Sequence, residues 1–214
     1  MHPAAKFYAL VTTATVAVMF FLMTWVVPII QALPMFPAAV ASLAGVLGSV
    51  GIYRLVSQGA ETAIHHINWL RRWIFGGTYL HGTWAGFFIG RAGDKRYTVE
   101  HFDQDLDGIV INGQSRTDTL QPHADWTSVS VSVDSRTGRL IFSYTMTILS
   151  RQGTLVGINS SQLERASHRN AATTVTGHAQ ELGDQVRVQV TGVKVSDTLL
   201  PWDDAFKRAQ ERFP

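Results

Sequence analysis

The stretch DQDLDG, Asp103 to Gly108, carries the residue types of a calcium loop. Asp103, Asp105 and Asp107 alternate, Gly108 falls at the sixth position and the apolar Val110 at the eighth. A hard cation wants such oxygen donors. The twelfth position, however, is Gln114 rather than a bidentate Glu, and both flanks have strand composition. A solvated hairpin turn accounts for the same residues. The eight histidines include no HExxH and no His-x-His. His65 and His66 are adjacent, so on a helix they point to different sides. His123 and Asp125 sit beside Trp126 with no nucleophile in an evident relation to them. There is no GxSxG, no cysteine, no P-loop and no GxGxxG. The expectation is a protein that is not an enzyme and that uses no metal or cofactor.

The remaining chemistry is that of a pocket for anions and rings. Arg91, Arg116, Arg165 and Arg187 are of the type that contacts phosphate. Tyr79, Trp84, Tyr97, Trp126 and Tyr144 are of the type that stacks on bases. Asn159 and Ser160, in GINSSQLER, could hydrogen-bond a base edge. The candidate ligand-binding set drawn from these is Trp84, Tyr144, Tyr97, Arg91, Arg165, Asn159 and Ser160. A formal net charge of +2 with 16 % charged residues is too balanced for electrostatic binding of long nucleic acid.

These residues lie on a chain of 214 residues, enough for one modest domain and an appendage. From Tyr79 to Asp197 the hydrophobic pattern has period two. Eight strands are expected at about 79–91, 95–102, 108–115, 126–133, 138–149, 153–161, 171–180 and 185–195. DWTSVSVSVD alternates, placing Val129, Val131 and Val133 on one face and Ser128, Ser130 and Ser132 on the other. RLIFSYTMTIL brings Leu140, Phe142, Tyr144, Met146 and Ile148 together, and DQVRVQV aligns Val186, Val188 and Val190. Turns are marked by Gly138, Gly153 and Gly183. No helical period interrupts the run, so the expected fold is an antiparallel meander, closed as an eight-stranded barrel because closure removes exposed edges. Such a barrel is either filled or holds one small ligand. Gly82, Trp84, Gly86, Phe88 and Gly90 share one face of the first strand, where Trp84 would plug one end or floor a pocket. After Pro201, WDDAFKRAQERF reads as a short amphipathic helix.

Residues 7–53 contain no Asp, Glu, Lys or Arg. Two membrane spans are expected, at about 7–30 and 37–56, joined by QALPMFP, whose two prolines force a turn. The apolar stretch outruns a signal-peptide core and continues into the second span, against a cleaved leader at Ala39–Ala41. Lys6 precedes the first span and Arg54, Arg71 and Arg72 follow the second, while the connecting loop is uncharged. This distribution puts both ends in the cytoplasm. Ala41 with Gly45, and Ala44 with Gly48, have small-xxx-small spacing, suited either to packing within the chain or to an oligomer interface. Residues 57–77 form a connecting amphipathic helix in this reading. Its Trp69, Trp73, Arg71 and Arg72 suit the lipid headgroup level, though the helix could equally pack on the soluble domain, and Gly76-Gly77 ends it. The domains expected are thus a hairpin over 1–56, this connector, and a barrel domain over 78–214.

Two spans, a short link and a small barrel opening on Gly-x-Trp, within LHGTWAG from Leu80 to Gly86, resemble the two-transmembrane, β-strand-rich effectors of bacterial CBASS anti-phage systems. The resemblance covers the chain in architecture and Leu80 to Gly86 in residues. It implies a lipocalin-like cup in the cytosol, at the bacterial inner membrane, that binds a cyclic dinucleotide made by a partner nucleotidyltransferase. It further implies oligomerisation on binding and disruption of the lipid bilayer by the hairpins. Two other readings stay open: a membrane-anchored lipid- or metabolite-binding barrel, and a scaffold whose interior is filled by Trp84, Phe88, Phe142 and Met146.

Overall fold

The computed structural model describes residues 3–31, 38–90, 93–149, 153–167, 170–183 and 187–214, with residues 30, 31 and 38–49 described by their backbone alone. The chain divides into two units, 1–75 and 76–214.

In the first unit, α1 (Pro3–Phe21) runs through a π-helical turn (Leu22–Val26) into α2 (Val27–Gln31). The π turn has a local cause. The Val27 N–H bonds back to the Leu22 carbonyl, five residues earlier. Pro28 has no N–H, and its ring crowds the carbonyl four residues before it, so widening this turn relieves the clash. The stretch Pro3–Ile29 is long and apolar enough to cross a bilayer. Phe20, Trp25 and Ile29 are exposed, so the protein itself does not cover them as it would a core helix. Among the described residues this is the one such helix. Most of the expected second span and its small-residue face lie outside the residues whose side chains are described, as does the connecting loop 32–37.

The backbone of α3 (Ala38–His66) is continuous through the boundary expected at residue 56. The break comes at Ile67, after which α4 (Asn68–Phe75) begins. Arg71 explains how that break is held. It is 4 % exposed, and its guanidinium donates to the Ile64 carbonyl at 3.2 Å and the His65 carbonyl at 2.9 Å. A cation thus caps carbonyls left free at the C-terminus of α3. This corrects the headgroup role expected of Arg71. Trp69 and Trp73 are exposed, as that role requires. The Lys6 ammonium bonds the Trp73 carbonyl at 2.9 Å. Gly76, at φ +55°, ends the helical run where expected.

The second unit is a closed antiparallel barrel in which each strand pairs with its sequence neighbours and β1 with β8. Its strands are β1 (Gly82–Ile89), β2 (Lys95–Gln104), β3 (Ile109–Thr117), β4 (Pro122–Asp134), β5 (Arg139–Ile148), β6 (Gly153–Glu164), β7 (Thr174–Glu181) and β8 (Arg187–Ser196). All eight expected strands are present. One pattern within them is corrected. A bulge on β4 shifts the pairing between Ser128 and Ser130, so Ser128 pairs Tyr144 and Ser130 pairs Ser143. One extra residue inverts the parity. Trp126 before the bulge and Val131 and Val133 after it pack on the interior cluster, whereas Val129 faces out at 69 % exposure.

DQDLDG is the β2–β3 turn. The Asp105 Oδ1 accepts from the backbone N–H groups of Asp107 and Gly108, both at 2.9 Å. An Asx turn of this kind uses the carboxylate to close the backbone. Among the described residues no three His, Asp or Glu side chains are grouped to hold a metal.

The final helix, α5 (Trp202–Arg212), packs on the outer wall over β1 and β2. Phe206, Ala205 and Ala209 are buried there with Ala85, Tyr97 and Val99. Arg116 pairs with Asp203 at 2.9 Å and covers the Phe206 ring. Trp202 stacks on His101, with ring centres 3.9 Å apart.

Candidate functional site: a barrel cup with a filled floor

Strand alternation sends Trp84, Phe102, Ile111, Leu140, Phe142 and Leu163 to the interior. They fill the barrel end where β1 starts and β8 finishes. Trp84 is 2 % exposed, packs 5.4 Å from the Phe102 ring and donates from Nε1 to the Leu80 carbonyl at 2.9 Å. Beneath it, Gln104 Oε1 accepts from Leu80 N and His81 N, and its Nε2 donates to the Thr78 carbonyl. Arg165 donates to the Gly77 and Ser135 carbonyls at 2.6 and 2.5 Å. These bonds tie the incoming chain across the barrel's base.

Above Trp84 the interior opens. A cavity of about 130 Å³ extends towards the hairpin ends, lined by Phe88, Phe142, Met146, Val188 and Val190 among others, with Trp84 as its floor. Its polar lining includes Thr98, Asn159, Ser161 and two carboxyls, Glu100 and Glu181. The described lining contains no Lys or Arg.

Two cross-strand rows build its walls. Glu100 on β2, Gly113 on β3, Trp126 on β4 and Met146 on β5 are in register. A Cβ at Gly113 would lie 2.0 Å from the Trp126 indole. The glycine therefore lets Trp126 lie across β3, where its Nε1 donates to Glu100 Oε1 at 3.2 Å. On the other side, Tyr144 on β5, Gly157 on β6 and Glu181 on β7 are in register. A Cβ at Gly157 would lie 2.4 Å from the Tyr144 ring. The same device, an aromatic leaning over a glycine towards a glutamate, thus occurs twice, mirrored about the β4–β5 pair.

The surroundings shift both titrating partners. Burial pushes the Glu100 carboxyl up to about 7, opposed by the Trp126 hydrogen bond. Part of the Glu100 surface is open, but protein encloses the group, and a partly open surface in the cup does not restore bulk hydration. Burial, then the charges of Glu181 and Glu100, push the Tyr144 phenol up to about 12, so it stays a neutral donor.

Of the candidate residues, Trp84, Tyr144 and Asn159 line the cavity. The Asn159 carbonyl oxygen accepts from Ser161 Oγ at 2.6 Å. Three others lie elsewhere. Tyr97 is on the outer wall under α5, because β2 sends Thr98, not Tyr97, inward. Ser160 has the parity opposite to Asn159, and its Oγ lies 3.5 Å from Arg139 Nη2 on the outside. Arg165 is a strap at the base. Arg91 lies outside the described residues. Arg116 belongs to the α5 contact, and Arg187 donates to Gln180 Oε1. Tyr79 is buried with the Lys194 ammonium 4.0 Å from its ring centre. Sequence reasoning missed Glu100 and Glu181. The available signal was parity: Glu100 stands two residues before the inward Phe102.

No family model, no curated protein and no solved structure matches the chain.

Proposed function

We propose that this protein is a membrane-tethered receptor cup: a closed barrel that binds one small, largely apolar ligand, held at a bilayer by the N-terminal apolar helix. The observation that carries the reading is the cavity of about 130 Å³ above a filled floor, apolar in most of its lining with a few convergent polar groups. Side chains fill the base of the barrel, so the space above it is specific rather than a general looseness of packing. The exposed apolar stretch Pro3–Ile29 supports the tether. Two crossings, with the basic residues flanking an uncharged loop, would keep the barrel on the cytoplasmic side with Lys6.

The second reading is the cyclic-dinucleotide effector, which oligomerises and disrupts the membrane. The order of an apolar helix followed by an eight-stranded barrel favours it. The lining weighs against it. Two phosphates call for Arg or Lys, yet the described lining offers two carboxyls. Pockets for drug-sized ligands enclose about 300–1,000 Å³, more than this cup holds.

The test is native mass spectrometry of the full chain in nanodiscs, followed by titration with cyclic dinucleotides and with small aromatic probes, read by tryptophan fluorescence. Binding of a small apolar molecule at one per barrel supports the cup. Tight binding of a cyclic dinucleotide with a rise in oligomer size replaces it with the effector. Binding of neither leaves the barrel a scaffold.

A further inference from the structure

We infer that the cup's ligand is a small organic cation, a protonated amine on an apolar body about the size of one ring, with its ammonium seated on the Glu100 carboxylate. This rests on the reading of the barrel as a cup and adds the ligand's charge.

Size sets the body. A buried apolar cavity of about 150 Å³ accommodates benzene, and the cup holds about 130 Å³. Charge sets the head group. Glu100 and Glu181 both line the cavity, and no described Lys or Arg lines it to offset them. A carboxylate or phosphate ligand would meet like charge in a low-dielectric site. A cation meets opposite charge, and Trp126 and Tyr144 in the lining are rings of the type that attract cations.

Geometry selects Glu100 as the partner. Trp126 fixes one carboxyl oxygen from the side at 3.2 Å. A carboxylate has about four acceptor positions, so one indole leaves room for the three donors of an ammonium. Gly113 permits this arrangement, since any larger residue would displace the indole.

Binding then exchanges a proton for the ligand. In the empty cup, burial holds Glu100 largely protonated below neutrality. The cation binds the ionised form, so the proton must leave. The groups facing Glu100 do not supply a competing cation. Across the cup stand Tyr144 on β5 and Glu181 on β7, while β3 presents Gly113 and β4 presents Trp126. On the same face of β2, Arg96 is bonded to Asp94 and to His123. On β8, Lys194 lies at the floor, 3.0 Å from Asp197. Affinity for a cation therefore rises with pH up to about 7 and levels off above it.

The test uses the full chain in nanodiscs with three probes of one shape: phenethylamine, phenethyl alcohol and phenylacetate. Calorimetry at about pH 5.5, 7 and 8.5 reads affinity and, in buffers of different ionisation enthalpy, proton release. Phenethylamine should bind at least about tenfold tighter than the alcohol, and phenylacetate more weakly still. Its affinity should fall by about tenfold per pH unit well below neutrality. Glu100→Gln should abolish both the preference and the pH dependence. Glu100→Asp, which retracts the carboxylate, should weaken amine binding while keeping the pH dependence, and it decides the matter if the Gln variant does not fold. Equal or tighter binding of the alcohol or the carboxylate overturns the cation and leaves the cup. An unchanged amine affinity in Glu100→Gln also overturns it. No binding of any probe, with no copurifying small molecule, overturns both.

Discussion

Trp84 and Phe88 are four residues apart on one face of β1, and they belong to opposite regimes. Around Trp84 the interior is filled, and its polar side chains are spent on backbone groups: Gln104 on Leu80, His81 and Thr78, Arg165 on Gly77 and Ser135. Towards Phe88 the interior opens, and the lining of that cavity as a whole includes two carboxyls, Glu100 being the cross-strand neighbour of Trp84 itself. The same strands and the same alternation produce both, so neither the fold nor its hydrophobic pattern decides which end is full. Side-chain volume decides it. Large aromatic and aliphatic groups converge on the base, while Gly86 and Gly192 leave the wall of the cavity above it without side chains. The base stabilises the barrel, and the cup carries groups that cost stability.

Substitutions that erase this contrast should have graded effects. Trp84→Ala empties the floor and should cost about 3–5 kcal/mol, measured by denaturant unfolding of the full chain in detergent. Glu100→Gln should act in the opposite direction. The folded-state value of about 7 lies above the ordinary value of 4.5 for a solvated glutamate. Between these values the unfolded chain has released a proton that the folded one retains, so stability falls as pH rises through this window. The cost is absent below it and reaches about 3 kcal/mol above it. The Gln variant should therefore gain up to that amount at alkaline pH and nothing at about pH 4, as a pH series of melting curves would show. Arg165→Ala frees two carbonyls at the base and should cost about 2 kcal/mol, with faster amide exchange in the turn after β4. Gly113→Ala drives a methyl into the Trp126 indole and should cost about 1–3 kcal/mol, with a shift in tryptophan emission as the indole leaves Glu100. Met146→Ala at the cup wall should cost least, about 1 kcal/mol, because one side of that residue already faces space. A Met146 effect as large as that of Trp84 would mean that cup and floor are one continuous core.

The barrel was legible because period-two runs and glycine turns are local signals. The cup was legible in part for the same reason. Parity alone puts Trp84, Tyr144 and Asn159 inside, and it also rules that adjacent Asn159 and Ser160 cannot both line one face. Parity along β2 likewise pairs Glu100 with Phe102, but a glutamate in a strand reads first as a solvated residue. Tyr97 was misplaced because α5 turns a stretch of outer wall into a second buried surface, a tertiary fact that the strand's own pattern does not carry. The bulge after Ser128 inverted a strict alternation, and no residue there announces it. The reach of Trp126 over Gly113 depends on the β3–β4 register, which turn lengths set.

The ring of strands has one seam unlike the others. Seven pairings join neighbours in sequence across short connections, and the eighth joins β1 to β8. Thr83 and Thr198, 115 positions apart, bond across it: Thr83 Oγ1 donates to the Thr198 carbonyl and accepts from Leu200 N. Closing a loop of that size carries the largest entropic cost in the barrel. In kinetic terms, the joint with the greatest sequence separation is the one expected to close last. The chain that leaves β8 crosses it and lays α5 over β1 and β2, so the C-terminal helix acts as a latch across the join, and the ring is fastened by an element that lies outside it.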